Sequence, residues 1–134
     1  MSPSAVDPAA VSPSEPALRA IAMPADANPF GDIFGGWLLS QMDLAGSTVA
    51  TRHARGRVVT VAITAMTFRR PVFIGDEVTC YVDIIKVGHT SITVKIESRV
   101  RRGIEDEQIS VTEGIFTYVA VGADRRPRPI VAET

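Results

Sequence analysis

The sequence predicts an α+β fold in which a curled five-stranded antiparallel sheet wraps one long central helix. Three observations lead there. One segment carries a helical apolar stripe with further apolar residues around it, four others carry strand periodicity over about ten residues each, and the lengths match. A helix over 36–53 spans about 27 Å, and a strand of ten residues about 33 Å. Strands of that length exceed the usual five or six residues, so a twisted sheet of them can curl around the helix.

Taken in order, a short strand is expected at 17–23, ended by Pro24. In the helix, Leu38, Met42, Ala45 and Val49 recur at helical spacing, and Trp37, Leu39, Leu44 and Ala50 fill much of the remaining circumference. A helix apolar nearly all round is expected to be buried. Residues 58–68 are apolar or small on both faces, the pattern of a central strand covered twice. Val78, Cys80, Val82 and Ile84 alternate with Thr79, Tyr81, Asp83 and Ile85. Ile92, Val94, Ile96 and Val100 alternate with Thr93, Lys95, Glu97, Arg99 and Arg101, a strand with one wet face. Residues 109–121, rich in β-branched and aromatic side chains, make the last strand. Pro71, Gly75-Asp76, Gly88 and Gly103 supply the turns.

A chain of 134 residues holds one domain. Residues 1–16, rich in Pro, Ser and Ala, are expected to be a disordered leader; 17–121 form the domain; 122–134, with charge and prolines, form a solvated tail. With 14 basic and 15 acidic residues, the net charge of −1 argues against general nucleic-acid binding. The only cysteine, Cys80, excludes an intrachain disulfide or CxxC zinc site and reads as packing. No apolar run reaches membrane-spanning length and no secretory signal is visible, so a cytoplasmic protein is expected.

The chemistry concentrates at the helix. Asp43 has Leu39, Ser40, Gly46 and Ser47 as its neighbours one turn away, and no Lys or Arg among them. An unpaired carboxylate on a buried helix is costly unless something uses or satisfies it. Two readings stand at this point: a general base or nucleophile, or an aspartate on a narrow solvated strip. Before the helix runs Asn28-Pro-Phe-Gly-Asp-Ile-Phe-Gly-Gly-Trp37. Gly35-Gly36 at a helix start leaves backbone N–H groups free to polarise a carbonyl; the plainer reading is a tight turn capped by Asp32 or Asn28. His53 and His89 have no metal-ligand companions at useful spacing. No G-x-S-x-G elbow and no phosphate-binding glycine loop occurs. Arg52, Arg55 and Arg57 read as a solvated turn, with phosphate recognition as the sharper alternative.

The runs AMPADANPFGDIFGGWLLSQMDLAG, RGRVVTVAITAMTFRRPVFIGD and KVGHTSI resemble the acyl-CoA thioesterases of the YciA type, hotdog-fold proteins related to cytosolic long-chain acyl-CoA hydrolases. The resemblance covers about Leu18 to Val121. It implies the hotdog fold, acyl-CoA hydrolysis, a homodimer at least and commonly a trimer of dimers. It implies no metal and no cofactor other than coenzyme A as part of substrate and product; the charge balance and the short apolar runs, read above, leave neither nucleic acid nor membrane as an expected partner. The family's catalytic asparagine in N-x-x-G-D-I-F-G-G-W matches Asn28 and its aspartate in Q-M-D matches Asp43, with a backbone N–H near Gly35 and Gly36 on the carbonyl. Pro29-Phe30 departs from the small or polar residues of relatives and bears on acyl selectivity. Thr60, Arg70 and the turn Lys86, Gly88, His89, Thr90 and Ser91 are the expected coenzyme A contacts. A non-catalytic acyl-CoA sensor on the same fold is the alternative; a dehydratase would need a histidine in the site.

Overall fold

The computed structural model describes residues 15–130, so nearly all of the expected leader, and residues 131–134 of the expected tail, lie outside the described residues. Strand β1 (Leu18–Ile21) leads through a 3-10 turn (Pro24–Asp26) and a loop into helix α1 (Gly35–Ala54). Strands β2 (Val58–Phe68), β3 (Glu77–Val87), β4 (Ser91–Arg101) and β5 (Ile109–Ala120) follow. The sheet is antiparallel throughout, in the order β1-β3-β4-β5-β2.

The alternation read from the sequence puts the core where expected. Ile92, Val94, Ile96 and Val100 of β4 are fully buried, as are Val78 and Cys80 of β3 and Phe116, Tyr118 and Ala120 of β5. They meet Leu38, Met42, Ala45 and Ala50 of the helix. Two residues on the outer face of β3 are buried as well, each for a local reason. Thr79 accepts a hydrogen bond from the Arg19 guanidinium, and Tyr81 lies beneath Arg99, whose guanidinium carbon is 4.6 Å from the ring centroid.

Three expectations are corrected. Strand β2 is an edge of the sheet, paired only with β5. Val59 is 43% and Val61 55% exposed, so within one chain its double-sided apolar pattern has only one cover. Its pairing slips between Thr60 and Ala62 and again between Thr64 and Thr67, where Ala65 sits at φ 51°. Bulges of this kind increase local twist and bend the strand. Helix α1 is buried along one face only, and Leu44 stands 55% exposed on the other.

The third correction concerns the C-terminal segment. Residues 122–130 do not leave the body as a solvated tail. A turn brings Pro127 back beside Val121, the N–H of Arg128 donates to Ala120 O, and the N–H of Ile130 donates to His89 O. Arg128 Nη2 donates to the carbonyl of Ala54 at 2.9 Å and its Nε to Val121 O at 3.2 Å. A cation on a terminal helical carbonyl satisfies an orphan acceptor and complements the helix dipole. Gly56 makes room for it, because a Cβ there would strike the Arg128 guanidinium. Arg128→Ala should therefore cost about 1–2 kcal/mol and lower Tm by roughly 3–8 °C in a thermal melt. An unchanged Tm would show that the strap contributes nothing to stability.

Candidate active site

The loop before α1 is a closed hydrogen-bonded unit. Asn28 N–H donates to Asp32 O at 2.7 Å, Gly31 N–H to Asn28 O, and Gly31 takes φ 91° to close the turn. The Asn28 side-chain oxygen accepts the N–H groups of Phe30 at 2.9 Å and Asp32 at 3.1 Å. The two backbone donors fix which end of the amide faces the loop, so Asn28 Nδ2 is the end left to donate to a ligand. Ile33 N–H ties the loop to Val72 O. The segment holding Val72 is itself anchored by buried Asp76, which takes both contacts from Arg102 Nε at 3.1 Å, while Arg102 Nη2 donates to Pro71 O.

Asn28 lines a cavity of about 380 Å³ with Phe34, Gly35, Phe68 and Arg70 among its other walls. Phe34 is the N-cap of α1 and provides no side-chain cap, so neither Asp32 nor Asn28 takes that place. Trp37 and Leu38 N–H both turn to Phe34 O. The N–H groups of Gly35 and Gly36 have no acceptor among the described residues. A helix start with open N–H groups beside a cavity can hold a polarised carbonyl oxygen or an anion.

Asp43 lies eight residues further along the helix, about 12 Å in rise, and does not line the Asn28 cavity. Its Oδ1 accepts two hydroxyl donors: Thr60 Oγ1 of β2 at 2.8 Å and Tyr118 OH of β5 at 2.9 Å. Asp43 forms no ion pair among the described residues. A half-buried carboxylate satisfied by neutral donors on one oxygen can still use the other as a base or nucleophile.

The remaining expected contacts fall apart within one chain. Thr60, placed among the coenzyme A contacts by resemblance, commits its hydroxyl to Asp43. Arg70 lines the Asn28 cavity, its Nη1 donating to Ser110 O at 2.6 Å. Lys86, near the end of β3, and Gly88, His89, Thr90 and Ser91 of the following turn lie at the opposite end of the sheet, beside Ala120. There Gly88 N–H donates to Ser91 O, and the carbonyls of His89 and Thr90 are taken by Ile130 and Ala120.

Tyr118 is the partner of Asp43 that sequence reasoning missed. It is fully buried, and its hydroxyl also lies 3.1 Å from the Asp43 main-chain oxygen. Burial, and then the hydrogen bond and charge of Asp43, push its phenol well above the ordinary tyrosine range. The available signal was its place in the inward alternation of β5, since a buried tyrosine hydroxyl requires a partner. Cys80, read as packing, is buried, with its thiol pushed up by burial.

Comparison with known proteins gives a consistent answer. A family model described as the thioesterase superfamily matches residues 30–105. An acyl-CoA thioester hydrolase, YciA, of Salmonella typhimurium is 51% identical over 116 residues, covering 84% of this chain and 87% of that protein. Among solved structures, a hexameric broad-specificity acyl-coenzyme A thioesterase, crystallised with one aspartate changed to alanine, superposes with a TM-score of 0.85. It is 45% identical, with 89% of this chain and 88% of that one covered. A hexameric hotdog-fold thioesterase of Campylobacter jejuni has a TM-score of 0.83 and 45% identity, covering 88% of this chain and 91% of that one.

Proposed function

The chain belongs to the thioesterase superfamily and has the hotdog fold, and from that premise we propose that it hydrolyses acyl-CoA thioesters to a carboxylic acid and free coenzyme A. The observation that carries the reading is Asp43: a carboxylate in mid-helix with no cation partner among the described residues, held by one oxygen between two hydroxyls. A thioester carbonyl is already activated, so one carboxylate and one carbonyl clamp suffice, and no metal is needed. Asp43 either takes a proton from water as it attacks the carbonyl carbon, or attacks that carbon itself. In the second case the coenzyme A thiolate leaves, and water hydrolyses the resulting anhydride. Asn28 Nδ2 and the N–H of Gly35 or Gly36 are the donors assigned to the thioester oxygen or the water.

The site is assigned to two subunits. Asn28 and Asp43 face different places in one chain, and direct cooperation on one water needs separations of about 3 Å. A two-fold partner can supply the missing half, because an isologous interface makes each contact twice. The exposed β2 edge, with Val59 and Val61, and the exposed Phe30 and Phe34 then gain cover. A trimer of such dimers matches the hexamers named for the relatives. Arg70 and the 86–91 turn, at opposite ends of one chain, are retained as coenzyme A contacts only as parts of different subunits. No helix among the described residues is long and apolar enough to cross a membrane; the cytoplasm, where free acyl-CoA is found, is the proposed compartment. A non-catalytic sensor would leave Asp43 and its two donors without a purpose. A dehydratase would need a histidine that neither His53, in the last turn of α1, nor His89, in the β3–β4 turn, supplies.

Asp43→Asn keeps the size and the hydrogen-bond acceptor and removes the charge. It should lower kcat by roughly 10²–10⁴ while circular dichroism and KM persist; near-normal turnover would remove Asp43 from the mechanism. Asn28→Ala and Asp43→Ala subunits, each inactive alone, should regain activity when co-refolded. Up to about half of the dimers are then mixed, each with one intact site, which gives roughly a quarter of wild-type activity. Verified mixed dimers that stay inactive would place the whole site in one chain.

A further inference from the structure

Where β5 crosses α1, helix and strand approach at Gly46. A Cβ on that residue would overlap the Tyr118 hydroxyl, would lie 2.6 Å from Ile96 Cδ1 and would come within 3.0 Å of the Tyr118 ring carbon that bears the hydroxyl. Real Cβ atoms essentially never approach so closely, so glycine is what admits the tyrosine tip to the helix surface. The hydroxyl that enters this notch reaches Asp43 Oδ1 at 2.9 Å. Thr60 reaches the same oxygen at 2.8 Å from β2. No described residue donates to Oδ2.

We infer that Tyr118 is a positioning residue for Asp43: admitted by Gly46, its hydroxyl holds the carboxylate by Oδ1 and so presents Oδ2 to the reaction. The inference rests on the reading of Asp43 as the reacting carboxylate. A tyrosine hydroxyl has one proton, and of its two neighbours, Oδ1 and the Asp43 main-chain oxygen, the charged one is the stronger acceptor. Donors arriving from two different strands on one oxygen restrain the carboxylate from turning about its terminal bond. Burial and the contact with Asp43 raise the phenol, which keeps Tyr118 protonated, hence a donor, at neutral pH. Within one chain the groups around Asp43 among the described residues are otherwise uncharged: Leu39, Ser40, Gly46 and Ser47 on its own helix, Thr60 on β2 and Ile96 on β4. In the shared site proposed above, the Asn28 cavity of a second subunit, lined also by Asp32, Arg69 and Arg70, adds the charges that face it. The titratable group on the inner face of β3, Cys80, contacts Ser98 at 3.4 Å.

The test is kcat and KM for acyl-CoA hydrolysis across pH in Tyr118→Phe, Gly46→Ala and the double variant, with Asp43→Asn alongside. Phenylalanine keeps the ring, which stacks on Phe116 at a centroid distance of 6.5 Å and an interplanar angle of 14°, and removes only the hydroxyl. The expected result is a kcat about tenfold lower with KM within about twofold, and an acid limb of kcat/KM moved to higher pH. The sign follows because a lost donor destabilises the charged carboxylate. Gly46→Ala should lower kcat in the wild-type background and have a smaller effect once Tyr118 is phenylalanine, because there is no hydroxyl left to displace. Should Tyr118→Phe fail to fold, 3-fluorotyrosine introduced into a Tyr81→Phe background, where Tyr118 is the sole tyrosine, replaces it. Its more acidic hydroxyl donates more strongly and should move the acid limb down. A wild-type acid limb and kcat in whichever variant folds, with Asp43→Asn inactive, would overturn the role of Tyr118 alone. An active Asp43→Asn would overturn the reading of Asp43 and this inference with it.

Discussion

The close passage of β5 over α1 at Gly46 is the constraint on which the rest of the molecule turns. A helix meeting a curled sheet leaves little room for side chains at the point of nearest approach, and here one residue yields the space while another, Tyr118, fills it. That contact sets the height of the helix over the sheet. It lets Ile96 of β4 and Phe116 of β5 join Met42 and Ala45 in a single core. The polar tip of the tyrosine would be costly to bury without an acceptor, and the acceptor is Asp43. Packing and chemistry therefore share one contact: the group that fits the helix to the sheet also satisfies the carboxylate.

From this contact outward the single chain leaves apolar surface uncovered. Strand β2 brings Thr60 to Asp43 with one face and leaves Val59 and Val61 open on a free edge. Exposed apolar edge strands are sites where another chain pairs or packs. The loop that holds Asn28 is built rigidly, through Asp32, Val72 and the Arg102–Asp76 pair, and its cavity, which Asp32 also lines, does not include Asp43. The rigid Asn28 loop and the separate Asp43, beside an uncovered edge, are the features from which the shared site is proposed.

How much of this was legible in the sequence depends on the range of the interactions. The alternation of β4 and the stripe of α1 are local patterns, and both put the right residues in the core. The pattern of β2 was also read correctly as apolar on both faces, but an apolar face does not say whose surface covers it. A strand covered twice by its own chain and an edge strand covered by a second copy are identical as strings. The C-terminal segment was misread because Arg128 acts on a carbonyl 74 residues away, a pairing that no local rule reveals. Asp43 was singled out from its uncharged helical neighbours, and Asn28 from a motif. Thr60 and Tyr118 became its partners only when the β2–β5 register, with Thr60 opposite Tyr118, set both hydroxyls under the same helix position.

The most direct measurement of the central claim is release of free coenzyme A thiol from acetyl-, hexanoyl- and palmitoyl-CoA by the purified, folded oligomer after treatment with a chelator. The account predicts thiol release with at least one of the three, undiminished by the chelator. A folded oligomer that releases no thiol from any chain length would contradict it.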